Sequence, residues 1–485
     1  MIDQTQELSE QVREQVAQRV LSQTESVCPD CLQKIPAYRV SEGKLVFLEK
    51  TCPEHGVFRT KIWEGGPSFE SWIRPKIPGV IRVPLTEVRH GCPFDCGLCS
   101  DHRQHTCTAV IEVTQRCNLH CTFCFADAGG KRLDPDQARI KTWYQRLLDT
   151  GGPCNVQISG GEPTLRTDLP EIIAMGHSMG FGFIQLNTNG LRLSRDRKLL
   201  NALKQAGLSS VFLQFDGTEP EIYQKLRGRD FLQDKLRVIS MCGELGIGVV
   251  LVPTLVAGVN DHNLGSIIDF ALENMPYVRG VHFQPASYFG RIPTSPSNDT
   301  RITLPEVMTR IEQQTNGRIK AANFRPPGCE NALCSFHGNF ILMPDRTLTA
   351  TTRHEPALAC CAPTERAEEG AQKAKEFVSN RWAAVEQEAS ESLCGCESGC
   401  DSSQSSPPLI QLDSIDQFLN RAKTHTLAVS AMAFQDAWNL DLERLRDCCI
   451  HTVAPDGNLI PFCAYNLTDS NGRYLYRGRT APVCP

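Results

Sequence analysis

The chain contains 485 residues, of which 22% are charged, and its formal net charge is −5. This length exceeds what a single hydrophobic core usually organises, so we expect two or three domains. The small negative charge provides no basic excess, which argues against a nucleic-acid partner.

The first 25 residues are rich in Gln, Glu and Ser and lack the basic and apolar stretches of a signal peptide. The longest apolar run, residues 248–259, is interrupted by Pro253 and is too short to cross a bilayer. We therefore expect a cytoplasmic protein without a membrane span, and a peripheral membrane contact is left open.

The 23 cysteines are the anomaly of the composition, because a cytoplasmic chain keeps its thiols reduced and makes little use of disulfides. Most of them are clustered, within residues 28–52, 92–124, 329–361, 394–400 and 448–484. Each cluster is a candidate metal site.

The first region, residues 1–107, begins with apolar residues at four-residue spacing, which predicts an amphipathic docking helix. They are Leu8, Val12, Val16 and Val20. Two short cysteine motifs then flank an alternating segment, residues 38–47, that predicts a hairpin. This arrangement is typical of a ribbon that binds one metal ion, here zinc or iron. The predicted ligands are Cys28, Cys31, Cys52 and His55, and Cys107 or another cysteine is the alternative to His55.

The same region continues with a C-x3-C-x2-C motif and a further thiol eight residues later. Its members are Cys92, Cys96, Cys99 and Cys107. Because one cysteine per iron completes a cubane, we predict a fully ligated auxiliary [4Fe-4S] cluster here. The alternative is that Cys107 ligates elsewhere.

Residues 108–290 alternate strand-like and helix-like segments, the pattern of βα units around a parallel sheet. The predicted strands are 109–114, 155–159, 183–187, 210–215, 248–252 and 279–283. The predicted fold class is therefore α/β, a partial barrel of six βα units between a cysteine-rich N-terminal metal-binding domain and a C-terminal region. Ligands of such sheets collect at the carboxyl ends of the strands.

The first of these strands is followed by a second C-x3-C-x2-C loop, which has an aromatic residue before its third cysteine. The loop contains Cys117, Cys121, Phe123 and Cys124. Three thiolates cannot complete a four-iron cluster, so one iron would stay free for a ligand from outside the chain. A zinc knuckle or a buried thiol cluster is the alternative, and it needs a fourth ligand nearby.

Polar segments follow the other strands. The first runs from Ser159 to Pro163 as Ser-Gly-Gly-Glu-Pro, whose glycines, Gly160 and Gly161, permit close approach to a ligand. The later segments contain Asn189, Gln214, Asp216, His282 and Gln284. Gln214 and Asp216 are predicted to project into the barrel mouth, where one of them meets cofactor or substrate. For Asn189 and His282 a structural role is the alternative.

The third region, residues 291–485, lacks regular βα alternation and is predicted to cover the substrate. Its cysteines predict a second auxiliary cluster if the tail folds back over the barrel. The ligands predicted are Cys329, Cys334, Cys449 and Cys463, with Cys448 as the leading substitute. Cys360, Cys361, Cys394, Cys396 and Cys400 receive no role. The polar stretch 365–407 is predicted to form an exposed helix and loop.

The three-cysteine loop with Phe123 and the turn of Gly160, Gly161 and Glu162 resemble the radical S-adenosylmethionine (SAM) superfamily. The resemblance implies that a catalytic [4Fe-4S] cluster on the loop is chelated by the amino and carboxylate groups of SAM. It also implies that Phe123 packs on the adenine, that backbone groups of the Gly-Gly-Glu turn bind the methionyl ammonium, and that Asn189 contacts SAM or its ribose.

Across nearly the whole chain, the cysteine motifs resemble the branch that contains the archaeal tetraether lipid synthases and the dihydropterin methyltransferases. Residues 355–405 depart from the archaeal pattern and look like a bacterial subgroup. The resemblance implies reductive cleavage of SAM to a 5'-deoxyadenosyl radical that activates an inert C–H bond. It further implies auxiliary clusters that relay electrons or hold a substrate radical. We expect C–C bond formation on a lipid-like substrate, with ferredoxin or flavodoxin as reductant.

The alternatives within the superfamily are radical methylation of a pterin or another heterocycle, peptide modification and glycyl-radical activation. A non-catalytic iron-sulfur electron carrier is the alternative of another class, but it leaves the open iron and the Gly-Gly-Glu turn without a partner. A lipid substrate predicts a long apolar channel at the barrel mouth, whereas a pterin or a peptide predicts a polar pocket or an open groove.

Overall fold

The computed structural model describes residues 19–130, 133–354, 366–384 and 414–478. The docking helix predicted over residues 8–20 lies almost wholly outside the described residues. The prediction is wrong for its last residue, Val20, which lies in a β-strand that pairs with the next strand and is exposed. The five cysteines without a predicted role, Cys360, Cys361, Cys394, Cys396 and Cys400, also lie outside the described residues.

The first unit is an antiparallel sheet of four strands in sequential order. These are β1 (Arg19–Val27), β2 (Lys34–Glu42), β3 (Leu45–Cys52) and β4 (Gly56–Glu64), and a short helix, α1 (Phe69–Trp72), follows. The hairpin predicted over residues 38–47 is the β2–β3 connection and is confirmed. A buried ion pair between Arg39 and Asp441, with a nitrogen–oxygen distance of 2.7 Å, ties this sheet to the C-terminal part of the chain.

The six predicted barrel strands all form, each within two residues of its expected limits. They are β5 (Thr108–Thr114), β6 (Asn155–Gly160), β7 (Ile184–Thr188), β8 (Ser210–Gln214), β9 (Gly248–Val252) and β11 (Val278–Pro285), with a two-residue β10 (Thr254–Leu255) beside β11. Neighbouring strands are parallel. All five residues of β9 are buried, as expected for a parallel sheet covered on both faces.

Helices connect these strands, and a further helix, the last of those named here, follows β11. They are α2 (Gln137–Gly151), α3 (Leu169–Ser178), α4 (Arg197–Gln205), α5 (Pro220–Arg227), α6 (Leu232–Glu244), α7 (Leu264–Glu273) and α8 (Leu304–Gln314). Some begin at side-chain caps, as at Asp136 and Asp196, each of which accepts a hydrogen bond from a backbone N–H three residues later. The strands and helices together form the predicted partial βα barrel.

The third region extends both edges of the same sheet. Its elements are β12 (Ser335–Leu342), β13 (Leu348–Ala350), α9 (Ala367–Trp382), α10 (Ser414–Thr424), β14 (Thr426–Met432), α11 (Leu442–Arg446), β15 (Ile450–Val453), β16 (Leu459–Pro461) and α12 (Phe462–Asn466). β14 is parallel to β11, and β15 is parallel to β5. The tail therefore folds back onto the barrel, and the boundary expected at residue 290 does not separate two sheets. Over the described residues, no helix combines the length and the apolarity of a membrane span.

Helix α9 crosses the amino-terminal ends of the barrel strands. Lys375 Nζ donates to Pro153 O at 3.2 Å, and Asn155 Nδ2 donates to Lys375 O at 3.3 Å. Further along, the ring of Trp382 lies 5.6 Å from that of Phe212 on β8. The expectation of an exposed helix is thus wrong for one face of α9, because its apolar side chains close the barrel at this end.

Candidate active site and metal centres

A cavity of about 880 Å³ lies inside the barrel, between the carboxyl ends of the strands and α9. Side chains of a strand alternate between its two faces, so every second residue of the barrel strands faces this space. The lining includes Ser159, Gln157, Asn187, Phe212, Gln214, His282 and Gln284. The volume falls within the range of small-molecule pockets, roughly 300–1,000 Å³.

Cys117, Cys121 and Cys124, the loop after β5, are half-buried and line this cavity. Phe123 lines it too, with its ring edge-to-face on that of Tyr288. Burial raises the pKa of the Cys117 thiol to about 11, so a bound cation is what would keep it a thiolate at neutral pH. Their sulfur atoms do not form one of the compact groups of metal-binding side chains found among the described residues, and no such group adds a fourth side chain to them. The donor set fits a cluster with an open corner.

Gly160 and Gly161 lie directly against the backbone that leaves β5. A Cβ atom on Gly160 would be 2.2 Å from Thr114 O, and one on Gly161 would be 2.2 Å from Arg116 O. The φ angle of Gly160, +126°, also disfavours other residues. Both positions require glycine because the turn and the start of the cysteine loop are in contact.

The Glu162 carboxylate is buried and saturated with hydrogen bonds. Oε1 accepts from Thr164 N, Thr164 Oγ1 and Thr188 Oγ1, at 3.1, 2.6 and 2.7 Å. Oε2 accepts from Asn189 N at 2.8 Å. Glu162 thus joins the turn after β6 to the segment after β7, and the N–H groups of Gly161 and Glu162 donate to Thr114 O and Arg116 O, both at 2.8 Å.

The Asn189 side chain is engaged within the protein at both polar ends. Its Oδ1 accepts from Leu191 N at 3.0 Å, and its Nδ2 donates to Asn118 Oδ1, on the cysteine loop, at 2.8 Å. Asn189 therefore braces the loop, and its contact with SAM stays a prediction.

Gln214 lines the cavity, but Asp216 does not. Asp216 is completely buried, and its two oxygens accept from Arg227 at 2.7 and 2.8 Å. The prediction that Asp216 projects into the barrel mouth is therefore wrong. A buried carboxylate needs a cationic partner, and it is this partner, Arg227, that lines the cavity. Arg227 also interacts electrostatically with Cys121. The sequence feature that could have identified Arg227 is its position as a basic residue at the end of the helix that follows Asp216.

His282 and Gln284 of β11 both face the cavity. The Nδ1 atom of His282 lies 2.8 Å from Ser430 Oγ on β14, which fixes the ring. Burial lowers the pKa of His282 to about 4, so the imidazole is neutral at physiological pH.

The four predicted ribbon ligands, Cys28, Cys31, Cys52 and His55, lie with their ligand atoms within 4.8 Å of one another. The Sγ atoms of Cys31 and Cys52 are 3.9 Å apart, and His55 Nδ1 is 3.4 Å from Cys52 Sγ. A tetrahedral ion with metal–sulfur bonds of about 2.3 Å separates two sulfur ligands by about 3.8 Å. The group therefore fits one mononuclear ion, with His55 rather than Cys107 as its fourth member.

Cys107 lies with Cys329 and Cys449: all three sulfur atoms are within 4.8 Å of one another, and those of Cys107 and Cys329 are in close contact. The prediction that Cys107 completes the Cys92, Cys96 and Cys99 set is wrong. The reason is topological: Cys107 directly precedes β5 and Cys449 directly precedes β15, and these strands are parallel neighbours. The Cα atoms of Cys107 and Cys329 are 7.8 Å apart, beyond the usual span of a disulfide, about 4.4–6.8 Å, which favours ligands of a shared metal centre.

The second predicted auxiliary set is divided in the same way. Cys334 and Cys463 interact electrostatically with Cys448, whereas Cys329 and Cys449 belong with Cys107. Cys449 also interacts electrostatically with Cys448 and Cys334. The compact group in this region is therefore Cys107, Cys329 and Cys449, and Cys448, the substitute in the prediction, lies outside it.

Cys92, Cys96 and Cys99 interact with one another and are buried. Tyr476, from the last described segment, accepts from Cys96 N at 2.9 Å and donates to Pro93 O at 2.8 Å. Tyr476 was not predicted, because nothing in its sequence context connects it to a loop more than three hundred residues earlier.

The cavity has thiols at both ends. Cys117, Cys121 and Cys124 follow β5, whereas Cys107, Cys329 and Cys449, which also line the cavity, lie at the start of that strand. Strand β5, Thr108–Thr114, advances about 20 Å over its six steps. A ligand inside the barrel would therefore lie between the two thiol groups.

Two family models match parts of this chain. The Radical SAM superfamily model matches residues 111–271, and the model of the HMPTM N-terminal zinc ribbon domain matches residues 20–64. Over 477 residues the chain is 36% identical to the 7,8-dihydro-6-hydroxymethylpterin dimethyltransferase of Methanocaldococcus jannaschii, covering 91% of this chain and 93% of that one. The chain belongs to the radical SAM superfamily. It is a radical SAM enzyme, as the cysteine loop and the barrel had indicated.

Other relatives of this radical SAM enzyme match part of the chain. The GTP 3',8-cyclase of Listeria welshimeri is 30% identical over 185 residues, or 37% of this chain and 55% of that one. Among solved structures, SuiB of Streptococcus suis with its precursor peptide covers 41% of this chain and 44% of its own, at 16% identity and a TM-score of 0.35. Methylornithine synthase covers 44% of this chain and 63% of its own, at 16% identity and a TM-score of 0.35.

Proposed function

We propose that this radical SAM enzyme binds SAM at a [4Fe-4S] cluster held by Cys117, Cys121 and Cys124, and methylates a pterin-like heterocycle in the cavity beside it. The observation that carries the proposal is one closed-ended cavity, shared by the three cysteines and by a set of amide side chains. When bound, such a cluster would supply the electron that splits one SAM into methionine and a 5'-deoxyadenosyl radical, which would take a hydrogen atom from the substrate. Because that methionine keeps its methyl group, a second SAM would donate the methyl group and leave as S-adenosylhomocysteine, with a second electron from the reductant.

The chain's own residues would bind and orient SAM. The close contact of Gly160 and Gly161 with the loop places the turn beside the cysteines, where backbone groups of the turn would bind the methionyl ammonium. Gln214 and Arg227 line the same wall, and Arg227 is held in place by buried Asp216. Phe123 offers its ring to the adenine. The closed end of the cavity would exclude water from the radical.

The shape of the cavity favours a heterocycle over a lipid. Helix α9 closes the far end of the cavity, whose volume is about 880 Å³. Polar side chains with both donor and acceptor atoms, such as Gln157 and Asn187, line it. They match the polar edge of a pterin. The pterin dimethyltransferase relative, aligned over nearly the whole chain, supports the same substrate class.

Lipid C–C bond formation, the first expectation from the sequence, is the second candidate. It is favoured by one observation, a cluster of phenylalanines on one wall of the cavity that would suit an acyl chain. The members are Phe125, Phe289, Phe434 and Phe462.

The remaining metal centres are proposed from the donor sets. Cys107, Cys329 and Cys449 would hold an auxiliary cluster at the deep end of the substrate cavity, where it can exchange electrons with the substrate. Two further thiol sets, Cys92 with Cys96 and Cys99, and Cys334 with Cys448 and Cys463, are candidates for relay clusters. The ribbon of Cys28, Cys31, Cys52 and His55 would hold a mononuclear zinc or iron. Ferredoxin or flavodoxin is the proposed reductant.

The test is anaerobic reconstitution with iron, sulfide, SAM and dithionite, followed by product analysis. We expect release of 5'-deoxyadenosine and a mass gain of one or more methyl groups on 6-hydroxymethyl-dihydropterin. Cys121→Ala should abolish both, whereas Cys242→Ala, at a buried cysteine of α6 in no thiol group, should preserve both. If 5'-deoxyadenosine is released and no pterin changes mass, but the chains of a supplied phospholipid are coupled, the lipid reaction is favoured. No release by the wild type would favour an electron carrier.

A further inference from the structure

The end of the cavity nearest α9 has a wall of three aromatic side chains in mutual contact. The ring centroids of Phe212 and His282 are 5.5 Å apart, those of Phe212 and Trp382 5.6 Å, and those of His282 and Trp382 5.8 Å. Ser430 fixes the His282 ring through a hydrogen bond. Such a wall suits the face of a flat ring system, because aromatic rings stack in offset or edge-to-face arrangements at these distances.

A chain of amide side chains runs beside this wall on the inner faces of β6, β7 and β8. Asn187 Nδ2 donates to Gln157 Oε1 at 3.3 Å, and Gln157 Nε2 donates to Gln185 Oε1 at 3.0 Å. Gln185 Nε2 then donates to Ser210 Oγ at 3.2 Å. The chain stops at the cavity, where Asn187 Oδ1 is buried and finds no partner among the described residues. Buried polar atoms without a partner are rare in folded proteins, so this one requires an explanation.

The unpartnered atom and the aromatic wall are neighbours. Asn187 on β7 is registered opposite Phe212 on β8. The O and N atoms of the three side-chain amides in this row could be exchanged together, because the Ser210 hydroxyl can donate as well as accept. In that arrangement Asn187 Nδ2, instead of Oδ1, would have no partner. A ligand that presents a donor and an acceptor side by side satisfies either arrangement. The N–H and C=O of a ring amide are such a pair.

We propose that Asn187, held by Gln157, binds the ring-amide edge of a flat, uncharged heteroaromatic substrate whose face packs on Phe212, His282 and Trp382. This inference rests on the proposed function and adds the recognition rule for its substrate: a ring amide in a fused heterocycle, of which a pterin is one example. The wall carries no charge at neutral pH, because burial keeps His282 unprotonated.

The experiment is a fluorescence titration of anaerobic, SAM-loaded holoenzyme with 6-hydroxymethylpterin, together with a separate titration with SAM. Asn187→Ala should raise the Kd for the pterin about tenfold relative to the Kd for SAM, the effect expected for one hydrogen bond. Asn201→Ala, on the outer helix α4, should leave both values unchanged. Phe212→Leu keeps most of the side-chain volume but removes the aromatic ring, so it should also raise the Kd for the pterin. This second variant tests the proposal if Asn187→Ala fails to incorporate iron.

The outcomes separate this inference from the proposed function. If the wild type methylates a pterin but Asn187→Ala and Phe212→Leu bind it normally, the recognition rule is wrong and the function stands. If the wild type ignores pterins but binds guanosine or lumichrome in a manner that depends on Asn187, the rule stands and pterin methylation is wrong. A wild type that binds none of the three overturns both.

Discussion

Replacing Glu162 by glutamine tests whether this carboxylate holds together the two segments that border the cavity. In the structure, three donors surround Oε1, and the single donor Asn189 N lies 2.8 Å from Oε2. A glutamine side chain has one oxygen, which should turn toward the three donors. Its NH2 group would then face the N–H of Asn189, and that hydrogen bond is lost.

A hydrogen bond to a charged group contributes about 1.5–3 kcal/mol, so we take about 2 kcal/mol for the cost. Because each 1.4 kcal/mol is a factor of ten, local opening of the segment after β7 should become about 30-fold more frequent. The assay is hydrogen exchange with mass spectrometry on a peptide that spans residues 186–192. The exchange rate of this peptide should rise by that factor.

The matched control is Glu171→Gln on the exposed face of α3, which should leave the exchange of the same peptide unchanged. Unaltered exchange in Glu162→Gln would refute the reasoning, since it would mean that the carboxylate does not hold the Asn189 segment.

Three further predictions concern the metal groups, the glycine turn and acid stability. Cys107→Ala should remove an electron paramagnetic resonance signal that Cys92→Ala retains, because the two thiols belong to different groups. Gly161→Ala should raise the Kd for SAM at least tenfold in equilibrium dialysis, because its Cβ would lie 2.2 Å from Arg116 O. Burial lowers the pKa of His337 to about 4. Between pH 6.5 and 4 this histidine is therefore protonated in the unfolded state but not in the folded state. Its contribution to the free energy of unfolding should fall by up to about 3 kcal/mol as the pH falls through this range. His337→Phe should flatten that part of the dependence in urea titrations at several pH values.

Each of these predictions has a control on the same chain. Gly130→Ala, where an added Cβ meets nothing within 4 Å, should bind SAM normally. His177→Phe, at an exposed position, should keep the wild-type dependence on pH. Loss of the same resonance signal in Cys107→Ala and Cys92→Ala would contradict the grouping of the thiols, and normal SAM binding by Gly161→Ala would contradict the close contact of the turn.

The barrel strands could be predicted because their signal is local. The run Gly248–Val252 is apolar throughout and bounded by glycine and proline, which is sufficient to indicate a buried strand. The position of α9 could not be predicted in this way. Its sequence is largely polar, and only its packing against β6 and β8, through Lys375 and Trp382, turns it into the closed end of the cavity.

The metal groups show the same division. Cys28, Cys31, Cys52 and His55 were predicted together because two short motifs on one hairpin can hardly lie apart. Cys107 was assigned to the wrong group, because its nearest cysteines in sequence are not its nearest in space. Its neighbour Cys449 comes from a strand more than three hundred residues later.

The sequence by itself determined the position of the three-cysteine loop, the six βα units and the ribbon, since each of these depends on spacings of only a few residues. The tertiary structure decided which distant thiols meet, that Asp216 serves Arg227 rather than a ligand, and that the cavity ends at α9. These features depend on which strands become neighbours. The entropic cost of closing a loop rises only slowly with loop length, so a partner hundreds of residues away is almost as accessible as a nearby one, and distance along the sequence does not identify it.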